Sequence, residues 1–308
     1  MLGYSRKPLV ADGGMTVLVS GATSQIGRYL LARLVRAGIP VLAVSRRPQP
    51  PLPGVQWWTG DLADALVAHA GMRWQAIVSF SPMEGWFAWL AAHDHAPAPR
   101  IIATSSMSVL TKQASAQADE QQVVARLRAG EAGIRTQAER LGMRWTILRP
   151  TLIYGAGIDR SLTPIVARAR RTRLFPIPMT HGLRQPVHAD DIAQAVMAAL
   201  TTDAAADRVV EIGGGERLDY ATMFRRVHAS MEPRTLPIPL PSLALHLLAA
   251  ALPRARGPVS RLQQDLIADN GPLRALLGVQ PRPFQPDAAT WVPMSPAQAM
   301  ARVGEVDP

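Results

Sequence analysis

The sequence predicts an α/β protein: a doubly wound parallel sheet with a smaller C-terminal lobe beside it. Three observations carry that expectation. A short apolar run, Met15–Val19, ends in a glycine turn and feeds a helix-period stretch. Strand-length apolar runs then alternate with helical ones as far as residue 212, which is how a parallel sheet with helices on both faces is built. A chain of 308 residues with 48% apolar content can bury a large core.

Taken in order, the first strand ends at Ser20-Gly21. Beyond the turn, Ile26, Leu30, Leu34 and Ala37 fall at helical spacing and Gly38 sits where a C′ glycine stops a helix. A helix start at such a turn is a ready anion site, because backbone N–H groups point outward and the helix dipole favours a pyrophosphate. Glycines suit it because side chains would block the turn, the ligand or the helix–strand contact. The plainer alternative is an ordinary strand–helix turn that holds two glycines. The second strand, Val41–Ser45, runs into Arg46-Arg47, and no Asp or Glu occurs between Gly13 and Gly60. A site for NAD usually has a carboxylate there for the ribose, whereas arginine accommodates the 2′-phosphate of NADP. NADP(H) is therefore expected over NAD(H), against the alternative of a solvated arginine pair at a strand end.

Val55–Trp58 leads into Gly60-Asp61-Leu62. Ala76–Phe80 follows as a strand, then a short helix near Trp86–His93, a strand Arg100–Thr104, a long helix over about Gln117–Leu141 and a strand Arg144–Leu148. Past Tyr154, Pro164, Pro176 and Pro178 break up an arginine-rich stretch. Val187 returns the chain to the sheet before a helix over Asp191–Leu200, and Arg208–Ile212 is a further strand. From Gly213 the chain turns proline- and leucine-rich. The expected division is residues 14–154 plus 184–213 for the nucleotide-binding domain, and 155–183 plus 214–308 for a small substrate-side lobe.

Five segments in order carry a family resemblance. They are Ser20-Gly21-Ala22-Thr23-Ser24-Gln25-Ile26-Gly27, Gly60-Asp61-Leu62, Ala103-Thr104-Ser105-Ser106, Leu148-Arg149-Pro150-Thr151-Leu152-Ile153-Tyr154-Gly155 and Pro186-Val187-His188-Ala189-Asp190-Asp191. Together they resemble the extended short-chain dehydrogenase/reductase superfamily, of the NAD-dependent epimerase/dehydratase type with a Rossmann fold. The resemblance implies cofactor contacts from Gly21, Thr23, Ser24, Gln25, Ile26, Gly27, Arg46, Arg47, Asp61, Leu62, Ser79 and Thr104. It sets Ser106 at the position of the catalytic Ser/Thr, against the alternative that these serines only satisfy backbone groups at a strand end. Ser24 replaces the middle glycine of the turn; its hydroxyl either bonds a phosphate oxygen or moves the ligand outward.

Redox and epimerase members resembling this chain use a Tyr-x-x-x-Lys pair on the long helix, where the lysine lowers the tyrosine pKa for proton transfer. Here the tyrosines are Tyr4, Tyr29, Tyr154 and Tyr220, followed four residues on by Pro8, Arg33, Ile158 and Phe224, so the pair is absent. Its places fall at Val123 and Leu127, read as an apolar stripe continuing through Ile134, Ala138 and Leu141. Lys112 has either an electrostatic role near Ser106 or none. Two functions remain open: an NADP(H)-dependent oxidoreductase or epimerase-like enzyme with another proton donor, and a nucleotide-binding accessory protein without turnover. The strand end Leu148–Gly155 and the tail Pro281-Arg282-Pro283-Phe284 are similar to the NDUFA9-like accessory subunit of respiratory complex I, which implies a retained nucleotide and a contact beside a membrane or within a complex.

Net charge is +10, almost all from arginine, since Lys7 and Lys112 are the only lysines. No nucleic-acid-binding motif accompanies it, so the expected partner is an anionic small molecule or none. Arg168, Arg170, Arg171 and Arg173, and again Arg254, Arg256 and Arg261, mark either a solvated basic face or a surface for phosphate or anionic lipid. The absence of cysteine excludes disulfides and thiolate chemistry. Met1–Gly14 lacks the apolar core of a signal peptide, and no run approaches the ~20 apolar residues of a membrane span. Leu243–Leu252 is too short for one and reads as a core helix, or as a peripheral membrane contact with Arg254 and Arg256. A cytoplasmic protein is expected, with a membrane-peripheral contact left open. His188 and Asp191 read as structural, Asp191 as the N-cap of the helix after it; no metal is expected, because His93 and His95 around Asp94 lack a third ligand.

Overall fold

The computed structural model describes residues 16–113, 117–251, 259 and 262–306. In chain order the elements are β1 (Val17–Ser20), α1 (Gln25–Arg36), β2 (Val41–Ser45), β3 (Val55–Thr59), α2 (Leu62–Ala68), β4 (Ala76–Ser79), α3 (Glu84–Ala91), β5 (Arg100–Thr104), α4 (Ser108–Thr111), α5 (Ala118–Leu141) and β6 (Arg144–Pro150). Next come β7 (Ile153–Tyr154), α6 (Thr163–Thr172), β8 (Leu174–Met179), β9 (Leu183–Arg184), β10 (Val187–His188), α7 (Ala189–Thr201), β11 (Arg208–Ile212), β12 (Leu218–Asp219) and α8 (Tyr220–Ala229). The chain ends with β13 (Leu236–Pro241), α9 (Ser242–Ala251), α10 (Gly271–Leu277), a 3-10 turn (Ala288–Trp291) and α11 (Pro296–Val306).

Seven strands form one parallel sheet in the order β11-β6-β5-β4-β1-β2-β3. This is the doubly wound arrangement, with β1 and β4 meeting where the strand order reverses. Alternate residues of each strand serve opposite faces. Val17 and Val19 pack with Ile26, Leu30 and Leu34 of α1 and with Ile192 and Val196 of α7. Leu18 instead joins Leu90 of α3 and Ile134 and Ala138 of α5. Gly38, at φ +69, ends α1 as expected.

A third core belongs to the small lobe and gathers Val166, Phe175, Phe224, Phe284 and Trp291. Three expectations change here. Pro164 sits in the first turn of α6 rather than breaking it, and Pro176 and Pro178 lie within β8, which pairs in parallel with the equally proline-rich β13. Val187 pairs with Ile153 in a separate two-stranded sheet, so only β11 rejoins the main one. The tail is shared: Phe284 and Trp291 join the small-lobe core, whereas Leu273 and Leu277 of α10 and Ala299 and Val303 of α11 pack with α1 and α7. Their apolar faces have the nucleotide half to cover, which an assignment of all of 214–308 to the small lobe does not foresee.

Among the described residues, no helix is long and apolar enough to cross a membrane. Leu243 and Leu247 of α9 are exposed while Leu245 is buried, so α9 is not the enclosed core helix its composition suggests. Arg254, Arg256 and Arg261 lie outside the described residues, as do Met1–Gly14.

Candidate functional site

The C-terminal ends of β1 and β4 open onto the glycine turn. Gly21 takes φ +67, and a Cβ on it would stand 2.8 Å from the Phe80 carbonyl carbon. A Cβ on Gly27 would stand 2.5 Å from the Ala22 carbonyl oxygen. Both positions therefore demand glycine, and α1 starts close against β1. Ser24 is the N-cap of α1, with its Oγ accepting from the Gly27 N–H at 3.1 Å. Its hydroxyl thus caps the helix and keeps its own proton to donate. The amides of Gln25 and Ile26, in the first turn of α1, have no helix carbonyl behind them.

Beneath the turn, Ser20, Ser79 and Ser81 share hydroxyl hydrogen bonds, and the Trp86 indole donates to Ser20 Oγ at 3.1 Å. Ser79 is fully buried in this cluster, in the floor under the turn. Thr104 Oγ1 donates to the Ser79 carbonyl at 3.4 Å, tying β5 to β4. Arg46 and Arg47 stand exposed at the end of β2, where Ser45 Oγ folds the chain back by donating to the Arg47 carbonyl. Asp61 is exposed and caps α2, accepting from the Asp64 N–H at 2.9 Å, with half-buried Leu62 packed behind it. Two buried polar atoms near the turn lack a partner among the described residues: Gln25 Oε1 and Ser105 Oγ. A helix N-terminus and an exposed arginine pair are donors, and the unpaired Gln25 Oε1 is an acceptor, a set that fits a dinucleotide. Ser105 was not foreseen, because a serine pair in sequence does not say which hydroxyl is spent.

Beside the turn, a cavity of about 710 Å³ lies between the two lobes. Gln25, Ser106, Ser108, Thr111 and Lys112 line it from the nucleotide half. Ser106 Oγ accepts from the Ser108 N–H at 3.1 Å and so starts α4 as well. Lys112 Nζ lies 3.2 Å from Glu120 Oε1, a buried carboxylate in the first turn of α5. The sequence reading passed over Glu120. Val123 is 43% exposed; the packed face of α5 runs through Val124, Gly130, Ile134 and Ala138 instead. Gly130 and Gly133 let Met83 and Phe87 approach α5 closely, and Leu127 is half-buried. Arg168, Arg170, Arg171 and Arg173 lie on and just after α6, outside the cavity lining.

The segment that matched the Pro186–Asp191 motif is a buried charge network. Arg33 donates to both oxygens of Asp190 at 2.7 and 2.9 Å. Arg282 donates to Asp190 Oδ2 at 2.8 Å and to Asp191 Oδ1 at 2.7 Å, and its backbone N–H to Asp191 Oδ2 at 3.0 Å. Burial opposes the charged form of Asp190, but the two guanidinium groups outweigh it and hold the carboxyl below its ordinary value. For Asp191 burial wins over Arg282, and its pKa rises. The N-cap of α7 is His188, whose Nδ1 accepts from the Asp190 N–H, and not Asp191, which is held by the tail. His188, Asp190 and Asp191 cluster closely enough for a metal, yet their acceptor atoms named here already take hydrogen bonds from protein donors. Tyr154 is buried between His188 and Phe284, and burial raises its pKa, so its hydroxyl is a weaker acid than an ordinary tyrosine.

Burial, then the nearby Arg282 charge, pushes the His188 imidazole down to about 3. A depressed pKa means the unfolded chain takes up the proton first. Stability is therefore full above the ordinary histidine value and falls as pH drops from about 6.5 towards 3, by up to about 1.4 kcal/mol per pH unit. Urea unfolding at pH 7 and pH 4.5 should show that fall, and His188→Asn should reduce it; an unchanged slope in the variant would assign the acid sensitivity elsewhere.

Comparison with known proteins matches the geometry. The sequence model of a family described as NAD(P)H-binding matches residues 21–203. Uncharacterised proteins of Mycobacterium tuberculosis and Mycobacterium bovis are 25% identical over 232 residues, covering 74% of this chain and 25% of theirs. The chain thus spans about a quarter of the length of the curated relatives it matches. Among solved structures, a UDP-glucuronic acid 4-epimerase from Bacillus cereus in complex with NAD aligns with TM-score 0.67 and 14% identity over 94% of this chain and 99% of its own. An epimerase from Methanothermobacter thermautotrophicus aligns with TM-score 0.68 and 15% identity over 95% of this chain and 93% of its own. A short-chain dehydrogenase/reductase superfamily protein from Agrobacterium tumefaciens with bound NAD aligns with TM-score 0.65 and 17% identity over 94% of this chain and 98% of its own. At such identities these structures share the fold.

Proposed function

We propose, because the chain belongs to the NAD(P)H-binding family, that it binds NADP(H) and works as an oxidoreductase or epimerase-like enzyme of the extended short-chain dehydrogenase/reductase type. The observation that carries the reading is the turn at Gly21–Gly27 set beside exposed Arg46 and Arg47. Thr23, Gln25 and Ile26 offer backbone donors to the pyrophosphate at the N-terminus of α1, and the arginines meet the 2′-phosphate. Bound there, the nicotinamide supplies or accepts hydride. Ser106 orients the substrate oxygen in the cavity, and Lys112, paired with Glu120, supplies positive charge beside it in place of a tyrosine and lysine on α5.

Oxidation of NADPH against a panel of carbonyl compounds tests turnover. Ser106→Ala should lower kcat by about 100-fold, the scale of a lost donor to a developing charge, with NADPH affinity unchanged. A second reading is favoured by the lack of tyrosine and lysine on α5 and by exposed Leu243 and Leu247 on α9: a nucleotide-holding accessory protein with a membrane-side or complex contact. A tightly bound NADPH that no carbonyl oxidises would select it.

A further inference from the structure

The cavity beside the glycine turn has two unlike walls. The nucleotide half contributes hydroxyls and Lys112; the small lobe contributes Pro176, Pro178, Phe224, Leu240, Leu262 and Leu266. Pro178 pairs with Leu240 across β8 and β13, strands that carry five prolines in the segments Leu174–Met179 and Leu236–Pro241. Proline has no N–H, so this wall offers few donors to a sugar hydroxyl or a phosphate. Its side chains reward burial of apolar surface instead.

Two of the three cations that line the cavity are already engaged. Lys112 is paired with Glu120. Arg184 is buried, donates to the carbonyls of Leu183 and Gln264, and lies 4.4 Å over the Tyr220 ring. Arg160 stands at the exposed rim, and Asp159 and Asp265 also line the space. A diphosphate needs cations free to meet it, because a buried anion without partners is costly. With Lys112 and Arg184 engaged, the lining leaves a single exposed arginine, Arg160, beside the carboxylates of Asp159 and Asp265, which is a poor match to a doubly charged diphosphate.

We propose that the cavity takes a neutral amphipathic alcohol or ketone, its oxygen at Ser106 and its alkyl portion against the proline–leucine wall of β8 and β13. The proposal rests on reading this cavity as the substrate site of an NADP(H)-binding protein. Isothermal titration of the full chain, with and without saturating NADPH, tests it using 2-decanone and UDP-glucose as probes. Expected are heat from 2-decanone, none from UDP-glucose, and a weakening of 2-decanone binding by about tenfold or more in Leu240→Asp but not in Leu240→Met. NADPH titrated alone into each variant reports whether the cofactor site is intact. Binding of UDP-glucose with no 2-decanone signal, silence from both, or equal 2-decanone binding by Leu240→Asp would overturn the proposal. Loss of NADPH binding with 2-decanone binding as expected would instead remove the cofactor reading and leave the apolar site standing.

Discussion

Truncating Arg282 to alanine should lower the unfolding free energy by about 3–5 kcal/mol, the loss expected when one partner of a buried ion pair is removed. Asp190 and Asp191 are each 3% exposed at the side chain, and Arg282 serves both, while Arg33 pairs with Asp190. Without Arg282, Asp191 keeps a buried negative charge with no guanidinium, and burial already raises its pKa. The loss should therefore shrink as pH falls and that carboxyl takes a proton instead. Arg282→Met should destabilise to a similar degree, because the carboxylates remain. Urea unfolding reads both variants. A loss under about 1 kcal/mol would mean that the pairs behave like exposed ones. The network also fastens the tail to α1 and α7, so limited proteolysis of Arg282→Ala should cut within the segment after Phe284.

The second large effect concerns the cofactor. Arg46→Ala combined with Arg47→Ala should weaken NADPH binding by about 10- to 100-fold and leave NADH binding unchanged, as charge-assisted hydrogen bonds of roughly 1.5–3 kcal/mol would require. Neither guanidinium holds a hydrogen bond or ion pair among the described residues, so their removal should not unsettle the fold. Melting temperatures within a degree or two of each other would separate a binding effect from a folding one. Equal losses for both cofactors would instead place the arginines on the pyrophosphate.

The parallel sheet was legible because its strands are continuous apolar runs, and the ends of α1 were legible because Gly38 is a stop that other residues take only under strain. The cofactor turn was legible for the same reason, through glycines whose Cβ positions are filled by backbone. What escaped was decided by tertiary partners. Ser24 could face a ligand or a helix amide, and only the start of α1 shows that it caps. Asp191 resembles a cap until Arg282, ninety-one residues later, is seen to claim it. Pro176 and Pro178 of β8 read as interruptions, because a proline-rich strand of this kind is stabilised only when paired, here with β13. Val123 is exposed while Val124 beside it is buried, a packing detail that apolar periodicity does not carry.

Titration of tryptophan fluorescence with NADPH and with NADH is the most direct test of the cofactor claim, since Trp57 and Trp58 lie on β3 next to the strand that ends in Arg46. Binding of NADPH about tenfold or more tighter than NADH is the expected result. Equal affinity, a preference for NADH, or no binding of either would contradict it.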